Sequence, residues 1–107
     1  MKKLPKVALG TWSWGTGFAG GDTVFGNHLS DSQMAEIFSK AMQQGLNLWD
    51  TAPVYGMGSS EMALGKLIRQ YPREGIIIST KFTPQIADEQ SAEPVTAMLN
   101  ASLERLG

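Results

Sequence analysis

The sequence predicts an α/β chain in which parallel strands alternate with helical crossovers, and three observations carry that prediction. Short apolar runs begin near residues 7, 46 and 76, at intervals of 39 and 30 residues. A stretch of helical periodicity follows each run. The third run, Ile76-Ile77-Ile78, is apolar on both faces, as suits a strand covered on both sides. Such a βα rhythm implies strands joined in parallel by right-handed crossovers. Two architectures fit it: an open doubly wound sheet, or part of a (β/α)8 TIM barrel. At roughly 33 residues per unit, eight units need about 260 residues, close to the ~250 of a complete barrel. Residues 1–107 then form the first three βα units, with no complete second domain.

Each element has local reasons. Val7 to Thr11 is the first strand run, and a glycine-rich loop extends from Gly15 to Asn27. Ser30 is a good N-cap, and Gln33 completes a capping box. Met34, Ile37, Phe38, Ala41 and Met42 recur at i, i+3, i+4, i+7 and i+8, a single apolar helical face. Gly45 supplies the stop. Leu46 to Trp49 is the second run and ends in Asp50. After the loop Gly56-Met57-Gly58, Ser59 or Ser60 can cap a second helix with the stripe Leu64, Leu67 and Ile68. Pro72 forbids its continuation. The isoleucine run leads to Lys81. Pro94 suits the first position of a third helix, whose stripe is Val95, Met98, Leu99, Leu103 and Leu106.

Composition narrows the chemistry. At 42% hydrophobic and 18% charged residues, the chain can build a core and is not compositionally disordered. A net charge of −1 argues against nucleic acid or an anionic membrane as partner. The absence of cysteine removes disulfides, thiolate catalysis, zinc fingers and iron–sulfur ligation. His28 is the single histidine and reads as a loop residue, so no histidine-pair metal site is expected. No run approaches the ~18 apolar residues of a membrane span, and Met1-Lys2-Lys3 is not followed by an apolar signal core. A soluble, cytoplasmic protein is the expectation.

Gly15-Thr16-Gly17-Phe18-Ala19-Gly20 matches the G-x-G-x-x-G phosphate loop of dinucleotide-binding folds. That loop works only when a helix opens within it and turns its N-terminus on the pyrophosphate. Here the next helical pattern starts after Ser30, so the stretch reads as an ordinary βα loop.

A second constellation has more chemistry in it. Asp50 closes the second strand and Lys81 follows the third. Neighbouring parallel strands lie ~4.8 Å apart, so groups leaving the same ends can touch. Tyr55 stands on the loop above that end. A free tyrosine, with a pKa near ~10, is a poor acid at neutral pH, and a nearby ammonium favours the phenolate. Asp50 would keep that ammonium charged and in place. The set could give a proton to a developing alkoxide. The same residues could equally be a surface salt bridge beside an unrelated tyrosine.

From about residue 7 onward the sequence resembles the aldo-keto reductase family. The matching segments are Leu9-Gly10-Thr11-Trp12-Ser13-Trp14-Gly15, then Gly45 through Asp50-Thr51-Ala52-Pro53-Val54-Tyr55-Gly56, then Ser60-Glu61 with Leu64-Gly65. Ile77-Ile78-Ser79-Thr80-Lys81 and Ser102-Leu103-Glu104-Arg105-Leu106-Gly107 also fit. The resemblance implies a (β/α)8 barrel that reduces aldehydes or ketones with NADP(H). It implies Tyr55 as proton donor, Lys81 as the residue that tunes it, and Asp50 as the partner of the lysine. Gly10, Thr11 and Trp12, with Asp50, match the cofactor side of the site, and Trp12, Trp14 and Tyr55 match the substrate pocket. The family's catalytic histidine follows a fourth strand, beyond Gly107. A binding or regulatory member of the family, like its channel-associated β-subunits, or an inactive structural fragment, are the alternatives; residues 1–107 by themselves are expected to be inactive, as part of an active parent enzyme. With only three strands, the chain is expected to self-associate or to pair with a complementary C-terminal fragment.

Overall fold

Three short strands, β1 (Leu9–Gly10), β2 (Leu48–Asp50) and β3 (Ile77–Ser79), form one parallel sheet in the order β1-β2-β3. The structure is a computed structural model and describes residues 3–87 and 90–107. Met1 and Lys2, part of the reading that no signal core is present, lie outside the described residues. Gly10 pairs with Asp50, and Asp50 with Ser79, so the three carboxyl ends finish level. That register sets the site, because whatever follows Gly10, Asp50 and Ser79 leaves the sheet on one rim.

The helices are α1 (Gly21–Val24), α2 (Asp31–Gln43), α3 (Ser59–Ile68) and α4 (Pro94–Leu106). The capping box of α2 forms as the sequence predicts. Ser30 Oγ accepts from Gln33 N at 3.2 Å, and Gln33 Oε1 accepts from Ser30 N at 2.9 Å. Its buried residues, Met34, Phe38 and Ala41, meet Trp49 of β2, Leu64 and Ile68 of α3, and Ile76 ahead of β3. Trp49 is 1% exposed, with its ring 4.8 Å from Phe38 and 5.4 Å from Trp14, centroid to centroid. Gly45 ends α2 in the left-handed region, at φ +77°.

Four expectations need correction. The strands are shorter than the apolar runs, and Val7 is exposed ahead of β1. The glycine-rich loop is not uniformly irregular, since it holds α1, and a 3-10 turn at Trp12–Trp14 precedes it. Neither Ser59 nor Ser60 caps α3. The N-cap is Gly58 at φ +94°, and both hydroxyls bind elsewhere.

The largest difference lies in α4. Its expected stripe is mostly uncovered, with Val95, Leu99 and Leu103 at 56%, 52% and 53% exposure, while Ser102 and Leu106 are buried. The cause is Glu61 of α3, which is fully buried and takes Ser102 and Arg105 of α4 as partners. Stripping a buried carboxylate of its partner costs about 3–5 kcal/mol, so the polar side of α4 is held to α3. A Cβ at Gly65 would run into the Arg105 carbonyl oxygen, so glycine lets the two helices approach closely there.

Candidate active site

Asp50 is the last residue of β2, and Lys81 stands two residues beyond β3. The Lys81 ammonium donates to Asp50 Oδ2 at 2.8 Å, to the Thr51 carbonyl oxygen at 2.8 Å and to the Tyr55 hydroxyl at 3.2 Å. An ammonium has three N–H donors, and here each has an acceptor. Burial alone would lower the pKa of Lys81. The hydrogen bonds and charges of Asp50 and Tyr55 outweigh it and hold the lysine above its ordinary value. The lysine is thus a fixed cation at the rim, with side-chain exposures of 43% for Lys81 and 34% for Asp50.

Tyr55 is placed by a series of turns after β2. Its amide donates to the Ala52 carbonyl at 3.2 Å, and its own carbonyl accepts from Ser60 N, the second residue of α3, at 3.2 Å. The first βα loop closes over this turn. A Cβ at Gly15 would lie 2.9 Å from the Tyr55 carbonyl oxygen, so glycine is needed for the approach. Trp12 stacks on the Tyr55 ring at 5.2 Å and an interplanar angle of 10°. Its indole N–H is fastened to the Ala19 carbonyl at 2.8 Å, and Phe25 meets it edge-on at 5.1 Å.

Beneath the rim lies a buried hydroxyl cluster. Ser60 Oγ donates to the Thr11 carbonyl at 2.6 Å and lies 2.8 Å from Thr11 Oγ1 and 3.3 Å from Thr51 Oγ1, all three residues being fully buried. It ties the ends of β1 and β2 to the start of α3.

The structure therefore brings Asp50, Tyr55 and Lys81 together, with Trp12 against them and Gly10 paired to Asp50. It moves two expected residues elsewhere. Thr11, expected on the cofactor side, is fully buried, with its hydroxyl against Ser60 Oγ at 2.8 Å and the Asp50 carbonyl oxygen at 3.2 Å. Trp14, expected as a pocket wall, is 4% exposed and packs on Trp49 in the core. The 3-10 turn explains the split: residues two apart on it emerge a third of a turn from each other, so Trp12 and Trp14 cannot face the same way. His28 is exposed, as a loop histidine. Among the described residues no group of three His, Cys, Asp or Glu could hold a metal, and no helix is long and apolar enough to cross a membrane.

Sequence reasoning missed the role of Glu61. Its carboxylate accepts from Thr80 Oγ1 at 2.6 Å, from Ser102 Oγ at 2.8 Å and from Arg105 Nε at 2.6 Å. The signal was present. Glu61, Leu64, Gly65 and Ile68 recur at i, i+3, i+4 and i+7, which puts a charge on the buried stripe of α3.

Parallel strands returned by helices, with a polar cluster at their carboxyl rim, define an α/β chain with its site where such folds place theirs. Comparison with known proteins takes this further. Residues 6–107 match the aldo/keto reductase family, and the chain belongs to that family. It is 30% identical over 131 aligned residues to the NADH-specific methylglyoxal reductase of Escherichia coli, covering 100% of the chain and 39% of that protein. With an aldo-keto reductase of Gibberella moniliformis it shares 35% identity, over 87% of the chain and 30% of that protein. Among solved structures, 98% of the chain superposes on 35% of the thermostable aldo-keto reductase Tm1743 with a TM-score of 0.76 and 28% identity. It also superposes, over 96% of its length, on 32% of a glycerol dehydrogenase from Gluconobacter oxydans, with a TM-score of 0.66 and 30% identity. These neighbours are (β/α)8 barrels, and the chain spans about a third of each.

Proposed function

We propose that the chain is the N-terminal part of an NADP(H)-dependent oxidoreductase that reduces aldehydes or ketones to alcohols, with Tyr55 as proton donor. The observation that carries this reading is the Lys81 ammonium held at once by Asp50 and against the Tyr55 hydroxyl. Reduction of a carbonyl puts negative charge on its oxygen, and Tyr55 supplies the proton that quenches it. Lys81 stabilises the charge left on the tyrosine oxygen as that proton leaves. Asp50 fixes the ammonium and keeps it protonated. Trp12 covers one face of Tyr55 and narrows the approach of a substrate carbonyl.

The rim also suits a nicotinamide. A Cβ added at Gly10 would meet nothing within 4 Å, so there is open space beside the half-exposed Asp50 carboxylate. Gly10, Trp12 and Asp50 would border a bound nicotinamide, which supplies the hydride. Asp50 offers an acceptor for a ribose hydroxyl. The open sheet edges at β1 and β3 and the uncovered stripe of α4 favour pairing with a further segment or a second chain.

The test is turnover of a small aldehyde and a ketone with NADPH and, separately, NADH, using the polypeptide as its gene encodes it. Reduction is expected, faster with NADPH. Tyr55→Phe should lose about 10²–10⁴ in kcat, the usual worth of a general acid. Undiminished turnover in that variant would show that the proton comes from another group.

A further inference from the structure

We propose that Glu61 is a positioning residue that clamps the strand end carrying Lys81, acting through the Thr80 hydroxyl. The inference rests on the reading of Lys81 and Tyr55 as catalytic residues. The regular ladder of β3 stops at Ser79, whose carbonyl accepts from Thr51 N at 2.8 Å. Lys81 sits beyond that point, in irregular backbone, although its ammonium must meet three acceptors at once. Between the two stands Thr80, and its side chain donates to Glu61 Oε1 at 2.6 Å.

Glu61 is itself immobile. Its side chain has no solvent exposure, it lies within α3, and Ser102 and Arg105 reach it from α4. The segment that starts with Lys81 and returns as α4 is thus gripped at both ends by one carboxylate. A cavity of about 160 Å³ lined by Thr80, Lys81, Phe82, Val95, Met98, Leu99 and Ser102 leaves this strand end loosely packed on the other side. Packing alone does not hold the backbone from which Lys81 reaches its three acceptors; the hydrogen bond from Thr80 does.

A purely structural role would have Glu61 hold α4 on α3 and nothing more. Thr80→Val separates the two, because it is nearly isosteric and leaves the Glu61–Arg105 pair intact. In the polypeptide as its gene encodes it, Thr80→Val should lower kcat about tenfold or more with KM little changed, as expected when a catalytic group is displaced. Thr80→Ser, which keeps the hydroxyl, should restore it. The titration of the Lys81 ammonium, followed by side-chain NMR, gives a readout independent of turnover. Asp50 and Tyr55 are the titratable groups that face this ammonium directly, and Glu61 reaches it through Thr80. Its midpoint should fall toward that of an ordinary lysine in Thr80→Val and return in Thr80→Ser. Wild-type kcat and an unmoved Lys81 midpoint in Thr80→Val would overturn the proposal and leave Glu61 as a helix fastener. Full turnover in both Lys81→Met and Tyr55→Phe would instead overturn the catalytic reading, and the clamp with it.

Discussion

Replacing Lys81 by methionine keeps most of the apolar stem and deletes the ammonium, so the cost can be worked from one distance. The ammonium lies 3.2 Å from the Tyr55 oxygen. A full charge on that oxygen would interact with it by about 5 kcal/mol at an effective dielectric of ~20, and by about 1.3 kcal/mol in bulk water. Lys81 and Asp50 are 43% and 34% exposed, so solvent screens part of the interaction. A transition state also carries only a fraction of the charge. About 2 kcal/mol is then the working figure, equal to a loss of roughly 30-fold in kcat. Initial rates of NADPH consumption against aldehyde concentration separate kcat from KM. The loss should fall on kcat and be smaller than that of Tyr55→Phe, which removes the proton itself. A Lys81→Met variant with wild-type kcat, or with a change in KM alone, would refute the electrostatic argument.

Three further outcomes are expected. Because the pKa of Lys81 is raised on folding, its contribution to stability is complete below the ordinary lysine value of ~10.4 and is lost as pH rises through the folded value. Thermal midpoints of wild type and Lys81→Met should therefore stay apart from neutrality to about pH 10 and converge only above it. Trp14→Ala should destabilise by about 3–5 kcal/mol in urea denaturation, as for a large core side chain, whereas Trp12→Ala should cost less than that and raise KM for the carbonyl. The 107-residue chain alone should sediment as a dimer or larger at micromolar concentration, through its open sheet edges and the face of α4 bearing Val95, Leu99 and Leu103.

The sequence was legible where periodicity and local capping decide the outcome. The parallel order follows from the βα alternation and the α2 capping box from Ser30 and Gln33, while the convergence of Asp50, Tyr55 and Lys81 follows from strand ends that finish level. It was less legible where a side chain's direction depends on a turn of one or two residues. Thr11 and Trp14 face inward because β1 stops at Gly10 and a 3-10 turn follows, a change of period that the apolar run does not announce. The face of α4 was misread for another reason. Its stripe was scored on apolar residues alone, while a carboxylate from α3 selected the polar side. The clue to that is a charge at a core position of the preceding helix.

The three tryptophans divide the chain's light between two places. Trp49 and Trp14 are in contact deep in the core, while Trp12 lies partly in solvent against Tyr55. Indole emission shifts to the blue in apolar surroundings and to the red in water. Unfolding should therefore move the emission of the inner pair, and a molecule settling on the rim should change that of Trp12. Single Trp→Phe replacements would assign each signal. The molecule carries its own dyes, one set for integrity and one for occupancy, at positions where no label has to be attached.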